Sequence, residues 1–575
     1  MKQLFTLALL AGWCLPLLSP AQGPTWQLAT GISPATNTAS EVLASAADNQ
    51  GNVYMAGTFF GRAVFGSTTL VSAGAYDGFV AKYNATGAVV WVQQLGGTGS
   101  ERITAIAASA GRVCVAGTFE GTSTTLAGTS YSNVGTQGTD AFVLNYLDTG
   151  VTSSVAGVYM LGSAGTDLVP ALALRGTSLV VAGTFSGGSL TVGSTVLANA
   201  SGSLGVFSDV FVARFEVGSS SLTPRWAAQA GGQGFEEVSA VALNGSSVYI
   251  AGQFTGPPAT FGNTVLTAAN MSYDGYVAKL EDASNAGTFT WAERFGSGVN
   301  DHGTSLAVVG NSIYIGGQLG PEPGTFGTLT ATGSSTSLPD VFVAKLTDAG
   351  PLAAFDWVQL LGSSTGYEKL DALTVQGRHI YAAGVFSESS TTFGGITLPN
   401  PAPTNADGFL LSLADGPAVP TVEWAVSIAG NAAEFVNTIT AQGNRLYVGG
   451  STASSSVSFG PLTLTSTFNG SQGFVAVLDG IVLGTAEATA TRAGFSLGPN
   501  PARHTVALRW AVPATATPVA LTLTDALGRP VRSAMVPAAQ LITGYSLSLT
   551  GLAPGLYLVR MTSGRTQLTR RLVVE

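Results

Sequence analysis

Seven acids stand at one spacing in this chain: Glu41, Glu101, Asp167, Glu236, Asp301, Glu368 and Glu434. Each lies 16 residues before a glycine that closes a hydrophobic run. A second acidic series follows 20 to 26 residues after the glycine, at Asp77, Asp140, Asp209, Asp274, Asp340 and Asp407, with Gln472 in the seventh place. Carboxylates repeated in this way can do one of two things. Gathered at one opening they could hold Ca²⁺, a hard cation that takes oxygen ligands. Spread one per repeat, each could accept backbone N–H bonds at a structural boundary. A feature present once per repeat favours the second use.

Other chemistry has thinner support. His302 beside Asp301, and His379 at the start of a strand, are the only histidines before the C-terminal module. Both read as ordinary side chains, His302 in an exposed loop. A Ser-His-Asp nucleophile system needs three groups within hydrogen-bond reach. No dinucleotide fingerprint, phosphate loop or EF-hand spacing occurs, so no cofactor is expected. A paired-carboxylate glycosidase needs two acids in unlike surroundings, whereas these acids are equivalent by repeat. Trp26, Trp91, Tyr159, Trp226, Trp291, Trp357 and Trp424 form an aromatic series that could stack on sugars but reads as packing between repeats. Phe65, Phe261, Phe326, Phe393 and Phe459, each followed by Gly, read as hairpin packing.

The elements that place these residues follow from self-comparison. The run ending in Ala-Gly or Gly-Gly recurs with its closing glycine at 57, 117, 183, 252, 317, 384 and 450. That gives a unit of about 66 residues in seven copies. Each reads as four short strands rich in Val, Ile, Tyr, Phe and Thr, bounded by Gly, Asn and Ser turns. In the second copy they fall near 103–108, 113–119, 141–146 and 154–161. No segment holds a 3.6-residue apolar period, so helix content should be low. Four-stranded units in this number predict an all-β fold, a seven-bladed β-propeller, rather than a solenoid, whose repeats are shorter. The seventh copy stops after Phe474-Val475-Ala476-Val477 without an aromatic strand, while Trp26 precedes the first copy. The strand around Trp26 should therefore complete the last blade and close the ring. In that topology both acidic series lie on one face, with long variable stretches such as 186–208.

The pattern Gly51-Asn52-Val53-Tyr54-x-Ala56-Gly57-x-Phe59, Phe65-Gly66, Asp77-Gly78-Phe79-Val80-Ala81-Lys82 and Trp91 resembles the bacterial β-propeller repeat family of secreted proteins. The resemblance spans roughly 24–480 and implies a fold without a single assigned chemistry.

Composition fits an exported chain. Charged residues are 10% of 575, against roughly 25% in an average soluble domain. Residues 1–21 read as a signal peptide: Lys2, an apolar stretch from Leu4 to Leu18, and Ser19-Pro20-Ala21 before the cut. A lipoprotein signal at Cys14 is disfavoured by Trp13. Cys114 is then the one thiol of the mature chain and reads as a small core residue. No later run of 18 apolar residues occurs, so no transmembrane helix is expected.

Residues 22–480 form the propeller and 481–493 a linker of small and polar residues. Residues 494–575 are different: alternating strands about 80 residues long that predict a small β-sandwich. Here Pro499-Asn500-Pro501, Asp525 to Gly528-Arg529, Leu552 with Gly555 and Tyr557, and the basic final strand with Arg570 and Arg571 resemble the type A C-terminal sorting domain of the type IX secretion system. Gly498 departs from the aromatic that often precedes the opening Pro. The resemblance implies recognition by the type IX translocon, export across the outer membrane, and removal of the module at the surface. Charge separates the modules: eight Arg against two acids from 494 on, and 13 basic against 29 acidic residues over 22–480. An acidic propeller repels nucleic acid. The expected function is a non-catalytic binding or adhesion scaffold on or outside the cell, with an extracellular glycan or protein as candidate ligand. The alternatives are an extracellular polysaccharide hydrolase or lyase using the propeller mouth, and a structural surface component held by its tail.

Overall fold

The computed structural model describes residues 23–34, 38–48, 50–135, 138–202, 206–364, 366–416, 419–466, 470–481, 496–498, 500–510, 518–525, 529–563 and 566–575. The expected signal peptide, residues 1–21, and nearly all of the expected linker, 481–493, lie outside them. The chain divides into two compact units, with the boundary between Leu483 and Gly484.

The first unit is built from antiparallel strands. Among the described residues, seven sheets follow one another, each built on four antiparallel strands, with short added strands extending one to five and two to six. The second, for example, runs Ser100–Ser109, Arg112–Glu120, Thr139–Asp148 and Ser153–Leu161 from inside to outside. The first strand of each sheet packs beside the first strands of the sheets before and after it, and the seventh (Glu434–Gln442) lies beside the first (Ala39–Ala47), so the ring closes. The propeller expected from the repeats is the fold observed. Apolar residues of neighbouring blades share cores: Tyr54, Val80 and Trp91 of the first blade pack with Val113, Phe142 and Tyr146 of the second.

Closure comes from the beginning of the chain. Thr25–Gly31 pairs antiparallel with Gln472–Asp479, with Trp26 opposite Leu478 and Gly31 opposite Phe474. Trp26 thereby becomes the outer-strand aromatic of the seventh blade, 6% exposed. This satisfies an edge that would otherwise leave unpaired N–H and C=O groups.

The recurring glycine has a steric cause. Each inner strand carries a bulge, between Ile103 and Ala105 in the second blade, and Gly117 pairs with Ile103 just before it. A Cβ on Gly117 would collide with the Arg102 carbonyl and the Phe142 ring.

One element goes beyond four strands per repeat. The connection from second to third strand carries a small hairpin that reaches the preceding blade. Gly324–Phe326 pairs with the outer strand Gly287–Gly296, and Ser456–Phe459 with Thr421–Gly430. The Phe-Gly pairs sit in these hairpins: Phe326 lies against Phe295 at 5.4 Å and Phe459 against Trp26 at 5.3 Å. The hairpins strap adjacent blades together and cover part of their outer edges.

The second unit has two sheets, one of Ser496–Gly498, Thr505–Arg509 and Tyr545–Ser548, the other of Pro530–Val536, Val519–Asp525, Gly555–Ser563 and Thr566–Val574. Val506 and Leu508 from the first share one buried core with Leu521, Val559 and Leu572 from the second.

Candidate functional site

The acidic residues are brought together in pairs across blade boundaries. Glu101, Asp167, Glu236, Asp301, Glu368 and Glu434 are all fully buried, as are Asp77, Asp209, Asp274 and Asp407, with Asp140 and Asp340 at 1% exposure. Each acid at the head of an inner strand accepts a backbone N–H from the turn that leads into it. Gly97 donates to Glu101 at 3.1 Å, Ser163 to Asp167 at 2.6 Å, Gly232 to Glu236 at 2.8 Å and Ser363 to Glu368 at 2.9 Å. In the first five blades the Asp at the head of the third strand ties the hairpin connection in the same way, from Ala73 to Asp77, Val134 to Asp140, Ala200 to Asp209, Ala269 to Asp274 and Ser334 to Asp340. These bonds explain why a carboxylate recurs at each position.

Burial raises the carboxyls of Glu101, Asp167, Glu236, Asp301, Glu368 and Glu434. Desolvation, opposed by the N–H and hydroxyl bonds and assisted by the neighbouring Asp140, pushes Asp167 up to about 7. Desolvation lifts Glu236 to about 8, with Asp209 adding to the rise, and Asp301 to about 6, with Asp274 adding to it. Asp407 and Glu434 are raised together: burial disfavours their charge, and their carboxyls face each other at hydrogen-bond range. Oδ1 of Asp209 and Oε1 of Glu236, and Oδ2 of Asp407 and Oε2 of Glu434, meet no protein donor. A proton held between the two carboxyls supplies one. The acids are thus paired inside the wall and do not line an open mouth. Among the described residues no group of three or more His, Cys, Asp or Glu is placed to hold a metal ion.

Glu41 stands apart from its series. It pairs with Thr58, as Arg102 pairs with Thr118, and Ser40 opposite Phe59 is the counterpart of Glu101 opposite Phe119. The first blade's inner hairpin is one residue longer: Ala47 pairs with Val53 where Ala108 pairs with Val113. The spacing of 16 is kept while the register moves by one. The seventh boundary therefore carries Ser40, whose Oγ accepts the Gly473 N–H at 2.9 Å, together with Gln472 in place of an Asp.

The residues one step beyond the buried acids, on the other side of the inner strands, are unlike one another: Arg102, Leu168, Glu237, His302, Lys369 and Phe435, with Glu41 in the same register. They ring the end of the propeller at which the inner strands begin. Leu168 and Phe435 are each 43% exposed. Arg102 pairs with Glu41 at 2.9 Å and Lys369 with Asp371 at 2.6 Å. Between the fourth and fifth blades, Gln253 donates from Nε2 to Glu237 at 2.5 Å and meets His302 Nδ1 through Oε1, while the Tyr273 ring lies 5.9 Å from the imidazole. Sequence reading placed His302 in a loop. It is the first residue of a strand and half-buried.

A second recurring constellation escaped the sequence. Asp148 of the second blade takes Lys82 Nζ at 2.6 Å, Tyr54 Oη at 2.7 Å and Trp91 Nε1 at 3.1 Å, all from the first blade. Asp348 does the same for Lys279, Tyr249 and Trp291, and Asp415 for Lys345, Tyr314 and Trp357. The tryptophans thus pack between blades and anchor their indole N–H groups there. The signal was present: Trp to Asp runs 57 residues at Asp148 and Asp348 and 58 at Asp415. Cys114 is fully buried, and burial pushes its thiol up to about 12, which leaves it inert.

In the C-terminal unit, Asn500 clamps the last strand, donating to the Arg571 carbonyl at 3.0 Å and accepting the Val573 N–H at 2.7 Å. It joins Pro501 through a cis peptide bond. Arg529 closes its turn on Asp525 through backbone N–H at 3.0 Å and Nε at 2.8 Å. The Tyr557 hydroxyl donates to the Ala553 carbonyl at 2.8 Å, at the start of the strand that opens with Gly555. Arg570 and Arg571 lie in the final strand opposite Val559 and Leu558. Pro499 and Gly528 lie outside the described residues.

Residues 496–575 match the family model described as a secretion system C-terminal sorting domain. The C-terminal unit is a type IX sorting domain, and the chain is accordingly exported to the cell surface or beyond it. No curated protein matches the chain. Among solved structures, PorZ of Porphyromonas gingivalis, a surface component of the type IX secretion system, is 12% identical, with TM-score 0.23 over 93% of this chain and 81% of that one. Trypanosoma rangeli sialidase is 11% identical, TM-score 0.32, covering 85% of this chain and 86% of the sialidase. The phage phi92 endosialidase is 8% identical, TM-score 0.36, covering 95% and 87%. At these scores no activity carries over from any of them. No helix among the described residues is long and apolar enough to cross a membrane.

Proposed function

We propose that this exported protein is a non-catalytic binding scaffold, its signal peptide being residues 1–21 and its ligand-presenting module the propeller of 22–480. One observation carries the reading. The acids that recur from blade to blade and could do acid–base chemistry are committed to holding blades together, while the residues that differ from blade to blade surround one end of the ring. Glu236, for example, is fully buried and bound to Gly232, whereas Glu237 beside it is only partly buried and meets Gln253. A rigid ring presenting unlike side chains at one end suits recognition of an extracellular glycan or protein. The sorting domain delivers it there through the type IX translocon.

The test is incubation of the secreted protein with a panel of polysaccharides, reading bound polymer by co-sedimentation and new reducing ends by colorimetry. Binding without new ends is the expected result. Release of reducing sugar would establish the hydrolase alternative, and unsaturated products the lyase.

A further inference from the structure

We propose that the sector of the propeller mouth where the fourth and fifth blades meet binds a neutral, hydroxyl-rich oligosaccharide, with His302 Nε2 accepting a hydroxyl hydrogen and Tyr273 flanking the sugar. The inference rests on the scaffold reading and names its ligand class.

The chemistry follows from one chain of contacts. The Glu237 carboxylate only accepts, so the Gln253 nitrogen must be the atom facing it, 2.5 Å away. That fixes the Gln253 amide and turns its oxygen toward His302 Nδ1. An amide oxygen cannot donate, so Nδ1 carries the proton. Nε2 is then left with a lone pair, and no described residue bonds to it. Burial and Lys369 both hold the imidazole below its ordinary value, against the pull of Glu237, so the ring is neutral where an acceptor is needed.

Charge selects the ligand. The cations in the ring already have partners: Arg102 has Glu41 and Lys369 has Asp371. Glu237 beside the imidazole opposes an anionic ligand. What remains open is an acceptor nitrogen, the Tyr273 ring with its centroid 5.9 Å from that of the imidazole, and Tyr367 38% exposed on the next blade. Neutral acceptors beside aromatic faces suit a sugar, whose hydroxyls donate and whose C–H faces pack on rings.

The experiment titrates hexameric cello-, chito- and xylo-oligosaccharides into the full secreted chain by calorimetry, with thermal melts confirming that every variant folds. At least one hexamer is expected to saturate the wild type. Its affinity should fall tenfold or more in His302→Ala and in Gln253→Ala, and measurably in Tyr273→Ala. A hexamer that binds all variants like the wild type would overturn the site and leave the scaffold reading intact. Failure of all three hexamers to bind would overturn the ligand class. Cleavage of a hexamer by the wild type but not by His302→Ala would keep the site and overturn the scaffold reading.

Discussion

Trp26 meets Phe459 edge to face with ring centroids 5.3 Å apart, and Phe459 in turn meets Phe474 at 5.2 Å. The first described strand is thereby held by the seventh repeat through side chains as well as through its ladder. Replacing Trp26 by Ala removes a large buried side chain, a change that costs about 3–5 kcal/mol where the site cannot collapse. A calorimetric melt should show the loss. A variant that melts like the wild type would sink the claim that this strand latches the ring.

The raised carboxyls predict an unusual response to pH. Asp167, Glu236 and Asp301 titrate at about 7, 8 and 6 in the folded chain, above their ordinary values of 3.8 or 4.5. The folded state binds their protons more tightly than the unfolded state does. Their contribution to stability is therefore complete below about pH 4 and is lost as pH rises through 6 to 8. Asp48, Asp148, Asp348 and Glu281 are lowered by their bonds to donors and cations, so their contribution disappears toward strong acid. The melting temperature should peak on the acid side of neutrality and fall by pH 8.5. Glu236→Gln should flatten that fall.

Asp148 closes a different kind of joint. Its ion pair with Lys82 is almost dry, with side chains 3% and 4% exposed. Asp148→Ala strands the ammonium beside Tyr54 and should cost about 3–5 kcal/mol, the usual range for breaking a buried pair from one side. The double variant Lys82→Met/Asp148→Leu should recover much of the loss. Denaturant titration of the two variants distinguishes a pair that stabilises from one that only avoids a penalty.

Asn500 gives a test in the sorting unit. Asn500→Ala deletes two hydrogen bonds to the last strand, each worth about 1 kcal/mol net. Amide exchange at Val573 should quicken. The fraction of protein reaching the cell surface should drop in a host with the secretion system.

The repeat length, the four strands and the role of Trp26 were legible because period-two patterning and aromatic spacing survive in every copy. The sorting turn at Asp525 and Arg529 was legible because its residues are close in sequence. Glu41 was misplaced because counting along a chain does not reveal where an extra residue is absorbed. Here the longer inner hairpin absorbs it, stabilised by Asp48 bonding the N–H groups of Gln50 and Asn52. His302 was read as a bland loop residue because its partners lie 49 and 65 positions earlier. The Asp148 joint could have been found from its constant distance to Trp91.

Because the outer strand of the seventh blade precedes all others in sequence, no partially synthesised chain can finish the circle. During export the leading strand must wait, its edge unsatisfied, until some 450 further residues have emerged. Assembly is thus timed by the last repeat, and a product truncated before Gln472 leaves an open arc whose leading strand has no partner.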